Sequence, residues 1–156
     1  MSPPFEAILA LIHRRQFDQA KSMIAAAGQT LPADQIHRLT ALSADLEIDA
    51  GNFSRGVALI RQAIEQQPTW LPHWFRLCVY LMDEQLWPEA IEAANEVISL
   101  SEQNGEPYFL DDARFRKAVC LNALGRYAEI PSQICDIAPD TKVVIGGRFY
   151  TLADLD

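Results

Sequence analysis

The sequence predicts an all-α fold: a right-handed solenoid of about four helical hairpins, closed by a short C-terminal β-hairpin or extended cap. Three observations carry that expectation. Apolar residues recur at three- and four-residue steps, as at Leu42, Leu46, Leu59, Ile60, Ala63 and Ile64, the spacing that makes one face of an α-helix apolar. A phrase running from Gly51 to Ala63 returns 34 residues later, from Gln85 to Val97, with Phe53 matched by Trp87. The phrase appears again around Phe17 and Tyr127, so the successive aromatic spacings are 36, 34 and 40. Periods of roughly 20 to 50 residues mark stacked repeats, each too small to bury its apolar face alone.

The repeat divides the 156 residues, read as one domain, into units at about 4–34, 37–70, 71–106 and 107–139, with a cap over 140–156. The first unit sets the apolar stretch Phe5 to His13 before a second helix carrying Ala20, Ile24 and Ala27, and Pro32 closes it. In the second, Leu39 to Ile48 precede Gly51, which permits the turn, and Ile60 and Ala63 lie on the returning helix that Pro68 ends. The third runs from Trp74 to Met82 and back through Ala90 and Ala94, until the stretch Asn104 to Pro107 breaks it. Phe115 to Leu124 and Gly125 open the fourth, and Pro131 interrupts its second helix among Ile130, Ile134 and Ile137. Asp111 and Asp112 read as a helix start, favoured by the macrodipole and by an Asp112 to Arg116 pair four residues apart. The tail differs in kind. Lys142 to Ile145 and Arg148 to Thr151 are β-rich runs around a Gly146-Gly147 turn, and Thr151 with Asp154 matches a cap for a final helical turn.

Taken together, these residues resemble the tetratricopeptide repeat family over about residues 4 to 138. The third unit carries most of the likeness, with Trp74, Leu77, Cys78 in the small-residue slot, Leu81, Ala90 and Ala94. Unit two adds Ala44, Ile60, Ala63 and Pro68, and unit one adds Ala20, Ile24, Ala27 and Pro32. Unit four departs from the pattern through Arg114, Lys117 and Pro131. In that family the first helix of each hairpin lines a concave groove. The resemblance therefore implies a groove of Phe5, Leu9 and Ile12, with His13 beside them, then Arg38, Ala41, Asp45, Ile48 and Asp49. Phe75, Val79, Met82 and Asp83 continue it, followed by Asp112, Phe115, Val119 and Asn122. One helical turn of difference in phase would instead bury Phe75 and Phe115 in the core.

The implied function is a non-catalytic protein-binding adaptor or scaffold. Family members that grip a C-terminal carboxylate use Lys and Asn in the groove. Here Asp45, Asp49 and Asp83 would repel a carboxylate, so the expected partner is a basic, apolar helix or peptide. A chaperone of a secreted protein or a toxin-immunity protein is the alternative within the same class. A small enzyme with an unrecognised site is the alternative from a different class.

Composition narrows the partners further. Thirteen basic against 21 acidic residues give a net charge of -8 and a field that repels phosphate backbones and anionic headgroups, so neither nucleic acid nor membrane is expected. Cys78, Cys120 and Cys135 are odd in number, lie in apolar helical stretches and follow no signal peptide, which points to the cytoplasm. Buried thiols of this kind are inert. His13, His37 and His73 fall in different units without zinc spacing, and no phosphate loop is present, so no catalytic residue, metal or cofactor is expected. Trp74 and Trp87 read as core, Trp70 as a surface anchor. For the hairpin two readings stand: a cover for the last helix pair, or a strand edge that pairs with a partner's sheet or with its own copy in a homodimer. In a third arrangement, a structural role, the groove is filled by the protein's own tail or by a second copy.

Overall fold

Helices occupy the spans that the apolar periodicity assigns. The computed structural model describes residues 4–155 and divides into two compact units, Met1–His73 and Trp74–Asp156. The first holds α1 (Phe5–His13), α2 (Phe17–Gly28), α3 (Ile36–Asp49) and α4 (Phe53–Gln66), together with the start of α5 (Leu71–Asp83). Phe5, Ile8 and Ile12 of α1 bury against Ala20 and Ala27 of α2 and against Leu39, Leu42 and Leu46 of α3, which forms one apolar core. The second unit holds the remainder of α5, then α6 (Trp87–Asn104), α7 (Pro107–Ala123), the four-residue α8 (Pro131–Ile134) and strands β1 (Lys142–Ile145) and β2 (Arg148–Thr151).

The four turns inside the hairpins share one construction. Arg15, Gly51, Gln85 and Gly125 are left-handed, at φ of 59°, 89°, 59° and 70°. After each, the next N–H returns to a carbonyl five residues back: Gln16 to Leu11, Asn52 to Glu47, Leu86 to Leu81 and Arg126 to Leu121, at 2.8–2.9 Å. This satisfies carbonyls that the helix end leaves without partners. Glycine was expected in two of these turns. Arg15 and Gln85 adopt the same geometry at a cost of roughly 1–2 kcal/mol each, which the packing on both sides of the turn offsets.

Helix starts differ from the sequence expectation in two places. α7 begins at Pro107, whose fixed φ suits a first helical position, directly after the left-handed Gly105 ends α6. Asp111 and Asp112 therefore stand beyond the first turn, and the macrodipole does not account for them; the Asp112 to Arg116 pair does form. α5 begins at Leu71, three residues before the apolar stretch from Trp74 to Met82, so Pro72 lies in its first turn. Pro131 has the expected effect. A 3-10 turn at Tyr127–Glu129 and the short α8 replace a full second helix, while Ile130 and Ile137 remain buried.

The tail forms the anticipated antiparallel hairpin. Ile145 pairs with Arg148, Val144 with Phe149, Val143 with Tyr150 and Lys142 with Thr151, around Gly146 and Gly147 at φ of 55° and 77°. The Asp154 carboxylate accepts from the Thr151 N–H at 2.7 Å and from its hydroxyl at 2.9 Å, which caps the last 3-10 turn, Leu152–Leu155. Those two bonds hold the Asp154 carboxyl below its ordinary range.

Close helix packing in the first unit rests on Gly56. It is buried on α4 against α3, where an added Cβ would stand 2.6 Å from both Cγ1 and Cδ1 of Ile48 and 3.2 Å from the Ala44 carbonyl. Alanine gains about 1 kcal/mol of helix propensity there. Overpacking a filled interface costs about 1–3 kcal/mol. Gly56→Ala is thus expected to lower the urea midpoint by the equivalent of about 1 kcal/mol. Adding Ile48→Ala should cost far less in the Gly56→Ala background than in the wild type, and additive losses would refute the steric account.

Candidate functional site

The expected surface of the first unit separates into a buried and an exposed part. Phe5 and Ile12 belong to the core, at 8% and 0% exposure, and Ala41 is buried with them. Leu9, Asp45 and Ile48 are half-buried and Asp49 is exposed. Arg38 lies on the same helix as these acids. Its guanidinium sits 3.8 Å from the centre of the Phe5 ring and 5.9 Å from that of Trp70, and it donates to Gln35 Oε1 at 3.1 Å. A cation over these rings leaves the acidic margin of this unit partly balanced.

Beside it is a feature that the sequence reading separated. His37 Nδ1 and His73 Nε2 lie 2.8 Å apart, with the two rings 6% and 1% exposed and Trp70 edge-on to His37 at 5.2 Å. Their spacing of 36 falls within two residues of the 34-residue step between units two and three, and both lie in the first turns of successive first helices, His37 second in α3 and His73 third in α5. Repeat register was the signal that could have joined them; a search for metal-ligand spacing within one helix could not. With both rings neutral, only one of the facing nitrogens carries a proton. Burial lowers the His37 pKa, Arg38 lowers it further, and a hydrogen bond to the Asp34 backbone and the Asp34 carboxylate oppose them.

In the second unit, Met82, Phe115 and Val119 are core side chains, at 0%, 0% and 3% exposure. The reason lies in α7, which buries Ala113, Phe115, Arg116, Ala118, Val119, Cys120 and Leu121 around most of its circumference. Such a helix has no single apolar stripe from which a groove-facing phase can be read. Phe75, Val79, Asp112 and Asn122 are half-buried and Asp83 is exposed. Trp74 and Trp87 are half-buried too, while Trp70 is 38% exposed.

Arg116 connects the parts of this face. It donates through Nε to Asp112 Oδ1 at 2.5 Å and through Nη1 to the Val144 carbonyl at 3.1 Å. Its guanidinium stands 5.2 Å from the centre of the Phe75 ring, which meets Phe109 edge-on at 5.3 Å. The Gly146 N–H donates to Asp83 Oδ1 at 2.7 Å. Asp83 and Asp112, expected to meet a partner, thus hold the C-terminal hairpin, one directly and the other through Arg116.

The thiols divide as well. Burial pushes the Cys78 thiol up to about 12 and raises Cys120 further, so both are protonated and unreactive at neutral pH. Cys135 is exposed just past α8, because Pro131 shortens the helix that was to bury it. Among the described residues, no group of three or more His, Cys, Asp or Glu is placed to hold a metal ion, and no helix is long and apolar enough to cross a membrane.

The architecture is that of tetratricopeptide-like helical hairpins followed by a two-stranded sheet. The solved structure of MamA MSR-1 C2, a tetratricopeptide-repeat protein, matches it with a TM-score of 0.60 and 19% sequence identity, over 83% of this chain and 71% of that one. No protein-family model matches the sequence, and no curated protein does.

Proposed function

We propose that this chain is a non-catalytic protein-interaction scaffold that takes a basic, apolar helix or peptide on the first-helix faces of its hairpins. The observation that carries the proposal is the occurrence of carboxylates with partly exposed apolar side chains on the first helices: Leu9 on α1 with Asp45 and Asp49 on α3 in the first unit, Phe75 and Val79 with Asp83 on α5 and Asp112 on α7 in the second. The tetratricopeptide-like fold supports it, since such hairpins present side chains from rigid helices, which limits the entropy lost on binding. Phe5, Ile12, Met82, Phe115 and Val119 act from beneath, by fixing the helices that carry the contacts. Unreactive Cys78 and Cys120 thiols fit a chain that works reduced, in the cytoplasm.

Charge reversal at exposed and half-buried positions tests the proposal without touching the core. Asp49→Lys, at an exposed position, should leave the melting temperature within about 2 °C, because surface substitutions of this kind change stability by about 0.5 kcal/mol or less. It should also remove proteins that the wild type retains from an extract of its own cells. Retention of an unchanged set of partners by a folded Asp45→Lys, Asp49→Lys, Asp83→Lys variant would sink the proposal.

A further inference from the structure

We infer that the C-terminal β-hairpin is an internal ligand of the second unit's first-helix face, and that a basic, apolar extended segment binds there by displacing it. The inference rests on the scaffold function proposed above and names both the class of segment that this face takes and what controls access to it.

Position is the first ground. The turn of the hairpin is fixed to α5 by the Gly146 N–H on Asp83, at 2.7 Å, and β1 to α7 by Arg116 on the Val144 carbonyl, at 3.1 Å. Arg116 in turn rests on Asp112 and Phe75. Asp83, Asp112 and Phe75 are the polar and aromatic groups that a partner on this face would meet, and the hairpin already engages all three, two of them through Arg116.

Chemistry is the second. Strands containing Lys142, Val143, Ile145, Arg148 and Phe149 are basic and apolar, the complement of a face bearing Asp83 and Asp112. Val143 and Ile145 turn inward, at 2% and 5% exposure, and β1 packs on α7. Only residues 141–151 have that basic, apolar composition, with Lys142 and Arg148 and no acid; Arg148 also pairs with Asp154 at 3.7 Å, and the bonds to the face are made by the backbone of Gly146 and Val144.

The third ground is that the hairpin is poorly made as a permanent cover. A solubilising cap has a polar outer surface. Here the outward cross-strand pair is Val144 with Phe149, and these are 44% and 67% exposed. Two four-residue strands are marginal on their own, so the hairpin folds only against its face, and release and unfolding are one event. A tethered segment competes at an effective concentration in the millimolar range, so an outside segment of equal intrinsic affinity binds the closed form weakly.

A fluorescent synthetic peptide of residues 141–151, which carries Lys142 and Arg148 and no acid, is the probe, used against the whole 156-residue chain. The opened variant carries Val143→Asp and Ile145→Asp, which disable the hairpin and leave α5 and α7 untouched. Trypsin cleavage at Lys142 and Arg148 reports opening, and helical circular dichroism reports folding. The opened, folded variant is expected to bind the peptide at least about tenfold more tightly than the wild type, and Asp83→Lys in that background to abolish binding. Should the double variant lose its helices, Gly146→Pro, which removes the donor to Asp83 and cannot hold φ of 55°, opens the turn by another route. Equal peptide binding by the closed and opened forms overturns the inference and leaves the scaffold function standing. No binding by a form shown to be open and folded refutes the second-unit face itself. A wild-type dimer that becomes monomeric on Val143→Asp and Ile145→Asp overturns the internal assignment and places the hairpin on a second copy.

Discussion

Replacing Phe115 by alanine is expected to remove about 3–5 kcal/mol of stability, the largest loss from any single side-chain truncation argued for this chain. Phe115 is 0% exposed on α7, among the buried Ala118, Val119 and Leu121 of its own helix. Alanine there forfeits the transfer free energy of the ring and leaves a cavity that the surrounding structure closes only partly. Since domains of this size are stable by about 5–15 kcal/mol, the variant should melt early and incompletely. Equilibrium urea unfolding gives the number. Phe75→Ala is the control: its ring is half-buried under Arg116, so truncation should cost about half as much or less. Comparable losses at the two positions would show that Phe75 is as much a core residue as Phe115. Partner binding is best probed at Phe75, where loss of contact is separable from loss of fold.

Much of the fold was legible because repetition multiplies weak signals. No single hairpin is decisive in sequence, yet Phe17, Phe53, Trp87 and Tyr127 all stand two residues after a left-handed turn residue, and the structure repeats the same turn four times. The hairpin was legible for a different reason: Gly146-Gly147 between β-branched and aromatic runs permits few alternatives. Helix starts are less so, since the break over Asn104 to Pro107 does not reveal that Pro107 is itself a first helical position, where a missing N–H costs nothing.

The candidate site was legible only in outline. Which acids stand on the first helices follows from the repeat register, and of these Asp49 and Asp83 are exposed. Which apolar residues face outward did not follow, because α7 is apolar nearly all round and burial there depends on what covers it. The hairpin supplies part of that cover, through bonds between residues 28 and 63 positions apart that no local pattern encodes. The same limitation hid the histidine pair.

That pair makes the first unit sensitive to mild acid. His37 and His73 are buried and share a 2.8 Å contact; the Arg38 cation acts on His37, while Asp34 is the carboxylate that favours a charged ring there. Burial and Arg38 outweigh Asp34, so the folded pKa of His37 lies below its unfolded value, near 6.5. Above that value both states hold the ring neutral and the pair contributes fully. As pH falls through 6.5 toward the folded pKa, the unfolded chain binds a proton that the folded chain refuses, and stability declines. Carboxylates held low by partners, such as Asp154 and Glu129, lose their contributions only in stronger acid, which leaves the interval between pH 7 and 5 to His37. Urea unfolding over that interval should show a falling midpoint for the wild type. His73→Leu should cost about 1–3 kcal/mol at pH 7.5, by leaving a buried His37 nitrogen against a methyl group. It should also keep the acid dependence, because His37 still resists protonation beside Arg38. His37→Gln retains a polar group facing His73 and cannot titrate, so its midpoint should be nearly flat from pH 7 to 5. A slope in His37→Gln equal to that of the wild type would move the acid sensitivity away from His37.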